Sequence, residues 1–467
     1  MWAPLRSRWF LWSASAALAV GAAISIVEIR SGDPRPTAVA ERILSLRDEP
    51  DTNVLFVLID TLRAHRLQSY GYARETSPTL DHFARTGVRF AHHLAQSSWT
   101  KCSMASLWTG LYPARTGVLR SEHAAPPEAT LPAEILREAG FRTAGIWRNG
   151  WVSPKFGFGQ GFEVYERPTP KQPSARVRRE NPHITIEGTD HDAVDSAIEF
   201  LRVYGKQRWF LYLHLMDVHQ YLYDDASALF GGSYSDVYDN AIRHTDAAVG
   251  RLLTHLAERG LLEKTLVAIG SDHGEAFSER GYEGHARVVD RETTEVPFVL
   301  GFPFQLEPGV VVDARTRNVD IWPTLLDLLG LPALPDSDGR SLVPRILAAA
   351  RGESDGEVPP AVAHIDRGWA RRSNAVLPAL SVVEGSFRFV QVRQSESEVL
   401  EELFDSALDP LEQTSVLADR PEVAERLRAV AAAYLASRPA PWGVETPSVD
   451  IEEMELQQLR ALGYALP

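Results

Sequence analysis

One stretch of the chain concentrates side chains that could act as nucleophiles. Residues 97–110 read SSWTKCSMASLWTG and hold the only cysteine of the chain, Cys102, among several hydroxyl groups. A hydroxyl or thiol becomes a useful nucleophile when a base, a metal ion or a nearby cation activates it. The rest of the chain must therefore supply such partners before any of these side chains can be given a role.

Candidate partners follow two apolar runs that read as strands. Asp60 comes directly after Asn53–Ile59, and Asp272 and His273 lie in the run Ser271–Glu275 that directly follows Thr265–Gly270. Side chains at the carboxyl ends of neighbouring parallel strands meet at one edge of a sheet. Two carboxylates and an imidazole there could hold one divalent cation. The structural alternatives are that Asp60 is the N-cap of a helix and that Asp272 caps a turn.

A second polar group follows the predicted strand Trp209–Leu215. His214 and His219 lie at or just past its carboxyl end, and His285 comes about a dozen residues after the turn that holds His273. Imidazoles in such a place could bind an oxyanion or protonate a leaving alkoxide. One histidine alone would more often be structural, but several polar groups at one predicted edge favour a catalytic site.

The elements that must position these groups alternate between strands and helices. Besides the three strands already named, Arg142–Trp147 is a predicted strand, and predicted helices cover residues 77–87 (with Ser77 as N-cap), 131–140 and 246–260. Alternation predicts an α/β fold with a doubly wound sheet, and continuous apolar strands indicate burial on both faces. After about residue 345, short strands and a helix over 421–436 predict a smaller C-terminal α+β subdomain.

The N-terminus carries a separate signal. Arg6 and Arg8 precede the charge-free run Trp9–Val27, which as a helix would span about 28 Å. Basic residues before such a run predict one transmembrane anchor with the rest of the chain outside the cytoplasm, periplasmic or extracellular. A cleaved signal peptide, which would give a secreted protein, is the alternative. The predicted divisions are an anchor or signal segment (1–30), a linker (31–51), a catalytic domain (52–345), the C-terminal subdomain (346–440) and an acidic tail (441–467).

Composition excludes some classes of function. The chain has 467 residues, which is enough for a large core, and a formal net charge of −14. This acidic balance argues against a broad nucleic-acid-binding surface. A single cysteine excludes an intrachain disulfide framework.

Beyond these physical features, the chain resembles the sulfatase branch of the alkaline phosphatase superfamily over nearly all of Asn53–Leu435. The segments that carry the resemblance include NVLFVLIDTLRA, TSPTLDHFARTGVRF, SMASLWTGLYPARTGV, GLLEKTLVAIGSDHGEAF and DIWPTLLDLLGLP. The resemblance implies the fold of that family. It also implies a metal site formed by Asp60, Asp272 and His273 together with the Thr100 oxygen.

The resemblance assigns the nucleophile to Thr100. The family pattern Cys-x-Pro-x-Arg-x-x-Leu-x-Thr-Gly ends here at Thr109-Gly110, so Thr100 takes the Cys position, Cys102 the Pro position and Met104 the Arg position. No formylglycine is therefore expected, and Cys102 is interpreted as a packing residue. A threonine ester cannot expel sulfate by elimination from carbon, so water or another acceptor must attack sulfur or phosphorus directly.

Other positions also depart from the family pattern. Thr61 stands where sulfatases usually carry a second Asp, and His273 replaces their Asn. A site with fewer carboxylates and one imidazole shifts the expected divalent ion from Ca²⁺ toward Mn²⁺ or Zn²⁺. The remaining implied roles are catalysis by His219 and His285 and substrate binding by Arg148, near the family's anion-binding lysine, and by His214.

Together these features predict a membrane-anchored, extracytoplasmic, metal-dependent hydrolase of sulfate or phosphate esters with a covalent intermediate on Thr100. Its substrate would be a sulfated or phosphorylated small molecule, glycan or lipid headgroup, and no nucleic acid. Two alternatives are a membrane-associated phosphotransferase that modifies a lipid or glycan, and a catalytically inactive sulfatase-like binding protein. The intact set of Asp60, Asp272 and His273 disfavours the inactive alternative.

Overall fold

The computed structural model describes residues 33–168, 188–353, 356, 358–369, 376–395, 397–438 and 440–451. Its largest element is an eight-stranded sheet. The strands lie side by side in the order Val310–Val312, Val88–Phe90, Phe298–Gly301, Thr265–Gly270, Asn53–Ile59, Trp209–Leu215, Arg142–Trp147 and Val164–Glu166. The four strands predicted from apolar runs are confirmed with the same bounds.

The strand Asn53–Ile59 explains why these runs carry no polar alternation. All seven of its residues are buried. Alternate side chains enter different hydrophobic clusters: Val54, Phe56 and Leu58 pack on one face of the sheet, and Leu55, Val57 and Ile59 on the other. A strand covered on both faces requires apolar residues at every position, which is the pattern that predicted it.

The sheet is mixed, whereas the doubly wound prediction implied parallel strands. The strand Phe298–Gly301 pairs antiparallel with both of its neighbours, Thr265–Gly270 and Val88–Phe90. Between Gly270 and Phe298 the chain stays at the carboxyl edge, where the Gly274 N–H donates to the Thr293 carbonyl oxygen at 2.9 Å. Because the chain does not cross back over a face of the sheet, the next strand runs in the opposite direction.

Helices cover both faces of this sheet. The α-helices that precede the C-terminal unit in the chain span Pro78–Thr86, Thr100–Thr109, Pro113–Thr116, Pro132–Glu138, Asp190–Tyr204, Tyr234–Glu258, Arg291–Thr294, Ile321–Leu328 and Val343–Ala350. The helix predicted over 246–260 begins twelve residues earlier, at Tyr234. Its first half buries polar side chains such as Asp239 and Asn240, so the apolar periodicity that predicts a helix is weak there.

The start of the helix Pro78–Thr86 is stabilised by a distant residue. Ser77 occupies the predicted N-cap position, but its hydroxyl makes no capping bond and donates to Asp81 Oδ2 at 3.0 Å. The Asp246 carboxylate accepts instead from the N–H groups of Thr79 and Leu80, at 3.0 and 2.9 Å. The cap is therefore supplied by tertiary structure.

The C-terminal unit is a four-stranded antiparallel sheet. Its strands Ala361–Asp366, Pro378–Glu384, Phe387–Arg393 and Val399–Asp405 are neighbours in chain order. The helix Pro421–Leu435 packs on it and buries Leu427 against Leu380 and Phe389 in one cluster. The strands and the helix agree with the predicted α+β subdomain. Three short two-stranded pairs lie outside these two sheets: Thr37–Ala38 with Gln305–Leu306, Ala276–Phe277 with Glu283–Gly284, and His93–Leu94 with Thr316–Arg317.

The predicted membrane anchor, Trp9–Val27, lies outside the described residues, as does most of the predicted acidic tail. Among the helices of the described ranges, none combines the length and the apolar character needed to cross a membrane.

Candidate active site

Three strands of the central sheet end beside one another and deliver polar side chains to one edge. Asp60 follows Asn53–Ile59, and its N–H donates to the Leu215 carbonyl oxygen at 3.0 Å. The next residue, Thr61, has a φ of 62° and donates its hydroxyl to the Asp60 carbonyl oxygen at 2.6 Å. A β-branched residue in the left-handed region is uncommon, and such strain concentrates at functional sites.

Asp60, Asp272 and His273 form a compact cluster at this edge. All three are fully buried, and one ligand atom from each lies within 4.8 Å of the others. Burial and the neighbouring Asp60 charge raise the pKa of Asp272. Within the described residues, Asp60 Oδ1 and Asp272 Oδ2 accept no hydrogen bond. Two buried carboxylates with one open oxygen each, next to an imidazole, fit a divalent cation.

The tautomer of His273 agrees with a ligand role. Its Nδ1 lies 3.0 Å from the Gly274 carbonyl oxygen, so this nitrogen carries the proton. The other nitrogen, Nε2, faces the cluster, 3.4 Å from Asp272 Oδ2 and 3.8 Å from Asp60 Oδ1. A backbone carbonyl that fixes the outer nitrogen is typical of metal-binding histidines.

Thr100 is brought directly to this cluster. It is the first residue of the helix Thr100–Thr109 and is fully buried. Its Oγ1 lies 3.1 Å from His273 Nε2 and 3.3 Å from Asn149 Nδ2. The hydroxyl predicted as the nucleophile thus lies beside the predicted metal ligands, at the positively polarised end of a helix.

His214 contacts Asp60. Its Nε2 lies 3.0 Å from Asp60 Oδ2, and its Nδ1 lies 2.7 Å from the Tyr212 hydroxyl. Burial alone would raise the pKa of Asp60, but the hydrogen bond from His214 and the nearby imidazoles hold this pKa well below its usual range. With both ring nitrogens facing protein groups, His214 is placed to orient Asp60, and its predicted substrate contact stays a prediction.

His219 and His285 lie together on the outer side of the cluster. The His285 ring stacks on the His273 ring at a centroid distance of 4.5 Å. The centroid of the His219 ring lies 5.0 Å from that of His285. Burial lowers the pKa of His219 to about 4. Burial also disfavours charge on His285, but the Glu275 carboxylate, 3.2 Å from its Nδ1, outweighs that effect and raises the pKa. The site therefore holds one imidazole whose pKa is lowered beside one whose pKa is raised.

Arg148 does not join the cluster. Its Nη1 lies 2.5 Å from Asp190 Oδ1 and from Asp217 Oδ1, and its Nη2 donates to Gln220 Oε1 at 2.7 Å. Two of these partners flank His219 in the chain: Asp217 lies two residues before it and Gln220 directly after it. The guanidinium thus anchors the turn that carries His219, and the substrate-binding role predicted for Arg148 stays a prediction.

Cys102 is enclosed in the core. It is 1% exposed, and its thiol contacts the His364 carbonyl oxygen at 3.9 Å. Burial raises the pKa of this thiol to about 12. A protonated, enclosed thiol agrees with the packing role expected for it.

Two residues of the site were missed from the sequence. Asn149 donates from Nδ2 to Asp60 Oδ2 at 2.6 Å, and Glu275 pairs with His285. Each lies next to residues that were singled out, since Asn149 follows Arg148 and Glu275 ends the run SDHGE. The polar pair after the strand Arg142–Trp147 was the available signal, but it did not show which side chain faces the site.

Comparison with known proteins agrees with this geometry. The family model described as Sulfatase matches residues 52–331. The ulvan-active sulfatase of Formosa agariphila is 25% identical over 414 residues, covering 79% of this chain and 78% of that protein. Arylsulfatase A of Homo sapiens is 27% identical over 351 residues, covering 64% of this chain and 68% of that protein.

A solved structure shows the same fold. The phosphonate monoester hydrolase of Agrobacterium radiobacter superposes with a TM-score of 0.67 at 22% sequence identity, covering 82% of this chain and 95% of that chain. The family model covers more than half of the present chain, including Asp60, Thr100 and Asp272. The protein therefore belongs to the sulfatase family of the alkaline phosphatase superfamily and is an ester hydrolase.

Proposed function

We propose that this protein hydrolyses sulfate or phosphorus esters through a covalent intermediate on Thr100, in a metal-dependent reaction. The observation that carries the proposal is the position of Thr100 Oγ1, 3.1 Å from His273 Nε2 beside Asp60 and Asp272. Ser103 donates its hydroxyl to the backbone carbonyl oxygen of Asp272 at 2.6 Å, and the Cys102 thiol contacts the His364 carbonyl oxygen. Among the described contacts of the segment 97–106, only that of Thr100 reaches a side-chain ligand atom of the cluster.

Asp60, Asp272 and His273 would hold one divalent ion. Such an ion would neutralise negative charge on the ester oxygens and on the attacking oxygen. Two carboxylates with one imidazole favour Mn²⁺ or Zn²⁺ over Ca²⁺. The open, buried oxygens Asp60 Oδ1 and Asp272 Oδ2 support this assignment.

The side chains of the protein divide the remaining tasks. In the first half-reaction, Thr100 Oγ1 forms a bond to sulfur or phosphorus while the bond to the alcohol oxygen breaks. The departing alcohol takes a proton from His219 or His285, whose ring centroids lie 5.0 Å apart beside the cluster. The proton that Thr100 loses on attack restores that imidazole, so the proton balance is closed. In the second half-reaction, water releases the inorganic acid and restores the Thr100 hydroxyl.

The substrate class follows from the nucleophile and from the relatives. Ulvan-active sulfatase and steryl-sulfatase are named for sulfated substrates, and the structural neighbour is a phosphonate monoester hydrolase. For the present chain we propose a sulfated or phosphorylated small molecule, glycan or lipid headgroup. Direct attack at sulfur or phosphorus, which a threonine ester requires, makes phosphorus esters the first substrates to assay.

The cellular location is part of the same proposal. Arg6, Arg8 and the apolar run Trp9–Val27 support a membrane anchor with the catalytic residues outside the cytoplasm. The full chain should remain in the membrane fraction through high-salt and alkaline washes, and a chain that starts near Asp51 should not. Release of a mature form without the first two dozen residues would show a cleaved signal peptide instead.

The proposal is tested by paired substitutions in one helical turn. Thr100→Ala should reduce turnover of 4-nitrophenyl sulfate, phosphate and phenylphosphonate by several orders of magnitude, with metal content unchanged. Cys102→Ala is the matched control and should retain turnover, and Thr100→Ser should retain measurable activity. Mass spectrometry of the peptide that spans Ser97–Arg115 should find the trapped adduct on Thr100. Formylglycine at position 102, or an active Thr100→Ala protein, would contradict the proposal.

A further inference from the structure

The side chain of Asn149 has three described contacts, and the proposed reaction does not yet give it a role. Its side chain is fully buried. The Oδ1 atom accepts a hydrogen bond from the Trp151 N–H at 2.9 Å. The Nδ2 atom donates to Asp60 Oδ2 at 2.6 Å and lies 3.3 Å from Thr100 Oγ1.

These contacts determine which end of the carboxamide faces Thr100. The Trp151 N–H can only donate, so the atom that faces it must be the carbonyl oxygen of Asn149. The opposite end, which faces Asp60 and Thr100, is therefore the NH₂ group. An amide nitrogen donates and does not accept, so its contact with Thr100 Oγ1 uses a lone pair of the hydroxyl oxygen.

The backbone that carries Asn149 is held from the other side. The preceding residue, Arg148, is paired with Asp190 and Asp217. Asn149 itself caps the short helical turn Gly150–Val152. Anchored on both sides, the carboxamide is preorganised, so the donor reaches Thr100 without a rearrangement at the moment of reaction.

We propose that Asn149 is a catalytic hydrogen-bond donor to the Thr100 oxygen. The N–H group holds the hydroxyl in one rotamer and stabilises negative charge on Oγ1 as this oxygen attacks. It stabilises the same charge again when Oγ1 leaves the covalent ester during hydrolysis. This inference rests on the proposed function, in which Thr100 is the nucleophile. A direct hydrogen bond to Oγ1 in both half-reactions is a different role from support of the proposed metal ligand Asp60.

Asn149→Asp and Asn149→Ala test the role. Both variants lack the N–H donor, and the aspartate keeps the side-chain volume if the alanine variant folds poorly. We expect kcat to fall by about 10²–10³-fold, as for loss of a single donor to a reacting oxygen, with KM within about threefold of wild type. Single-turnover measurements with the 4-nitrophenyl ester that the wild type hydrolyses should show that formation and breakdown of the Thr100 adduct are both slower.

Asn53→Ala is the matched control. Asn53 is also buried and accepts from a backbone N–H, that of Trp209 at 3.0 Å, but at the amino end of its strand, away from the site. Its loss should reduce stability and leave kcat unchanged. The full chain is used throughout, with bound metal measured by mass spectrometry.

Two results would overturn the inference. One is a folded Asn149→Ala or Asn149→Asp protein with kcat within threefold of wild type. The other is a loss of activity fully accounted for by loss of bound metal, which would restrict Asn149 to supporting Asp60. An adduct found on Thr100 in the wild type establishes the proposed function whichever result is obtained. Absence of that adduct, with the activity retained in Thr100→Ala, overturns the function itself.

Discussion

Two pairs of buried carboxylates lie at the same edge of the central sheet, and they differ in the cation that balances them. Asp190 and Asp217 share the guanidinium of Arg148. Asp60 and Asp272 have no Arg or Lys within salt-bridge distance among the described residues, and face the imidazole of His273. In the described part of the chain, a guanidinium balances the charge of the first pair, and imidazoles are the only basic groups that face the second.

The hydrogen bonds show the same difference. Each oxygen of the Asp190–Asp217 pair accepts at least one hydrogen bond; the donors are Arg148 Nη1, the N–H groups of Met216, Asp217 and Asp190, and the Thr245 hydroxyl. In the second pair, Asp60 Oδ1 and Asp272 Oδ2 accept none from the described residues. A buried charge without a partner costs several kcal/mol. The comparison teaches that the chain supplies its own cation at one site, and it supports the proposal that a cation from solution completes the other.

The largest expected effect comes from breaking the pair of Asp60 and Asp272. Asp272→Ala should reduce bound divalent metal to near zero and lower kcat by on the order of 10³-fold or more, because the cation loses one of its two carboxylates. Metal analysis and steady-state assays measure both quantities. Asp217→Asn, in the pair that Arg148 balances, is the control, and this variant should bind as much divalent metal as the wild type. Full activity in exhaustively chelated, metal-free protein would remove the distinction between the pairs.

Breaking the pair that Arg148 balances should affect stability before metal binding. Arg148→Met leaves two buried carboxylates without their cation and should lower the free energy of unfolding by about 3–5 kcal/mol. Urea denaturation measures the loss, and bound metal should stay at the wild-type level. A raised KM with unchanged stability would instead support the predicted contact between Arg148 and the substrate.

His364 is a third case, because a buried group can also avoid the need for a charged partner by becoming neutral. It is 2% exposed, its Nδ1 lies 3.0 Å from the Tyr434 hydroxyl, and burial lowers its pKa to about 4. A lowered pKa means that the unfolded chain binds the proton more readily, so stability is present above pH ~6.5 and is lost as the pH falls toward 4.

The wild type should therefore lose up to about 1.4 kcal/mol per pH unit from this group across that range. His364→Gln should show a shallower acid decline in urea denaturation carried out at several pH values. Parallel declines for the two proteins would show that His364 is not held neutral.

The smallest effect is expected where a buried carboxylate is satisfied by backbone groups. Asp246 accepts from the N–H groups of Thr79 and Leu80. Asp246→Asn keeps one acceptor oxygen, so the free energy of unfolding should fall by only about 1 kcal/mol. Activity and bound metal should not change. A loss as large as that of Arg148→Met would mean that the Asp246 charge itself is required.

Much of the framework was predictable because local patterns carry it. The strands Asn53–Ile59, Trp209–Leu215 and Thr265–Gly270 are uninterrupted apolar runs, and burial on both faces demands that composition. Asp60 was found because it directly follows such a strand, and the pair Asp272-His273 because it lies one residue past another. Their meeting at one edge follows from parallel strands alone, without any knowledge of side-chain contacts.

The direction of individual strands and the hydrogen-bond partners that come from distant parts of the chain were not predictable from local patterns. A four-residue apolar strand such as Phe298–Gly301 carries no mark of its direction, which depends on where the preceding chain lies. The cap of the helix Pro78–Thr86 comes from Asp246, far along the chain, and no local pattern identifies such a donor–acceptor pair.

The amino-acid sequence by itself determined four of the eight strands of the central sheet, the residue types that follow them, and the threonine at the position where the family pattern carries its cysteine. The tertiary structure decided how those residues are used. Arg148 and Asn149 are consecutive polar residues, and only the turn after Trp147 directs one toward Asp190 and Asp217 and the other toward Asp60 and Thr100. The physical reason is that a buried polar side chain takes the role of whichever partner can satisfy it, and those partners come from distant parts of the chain.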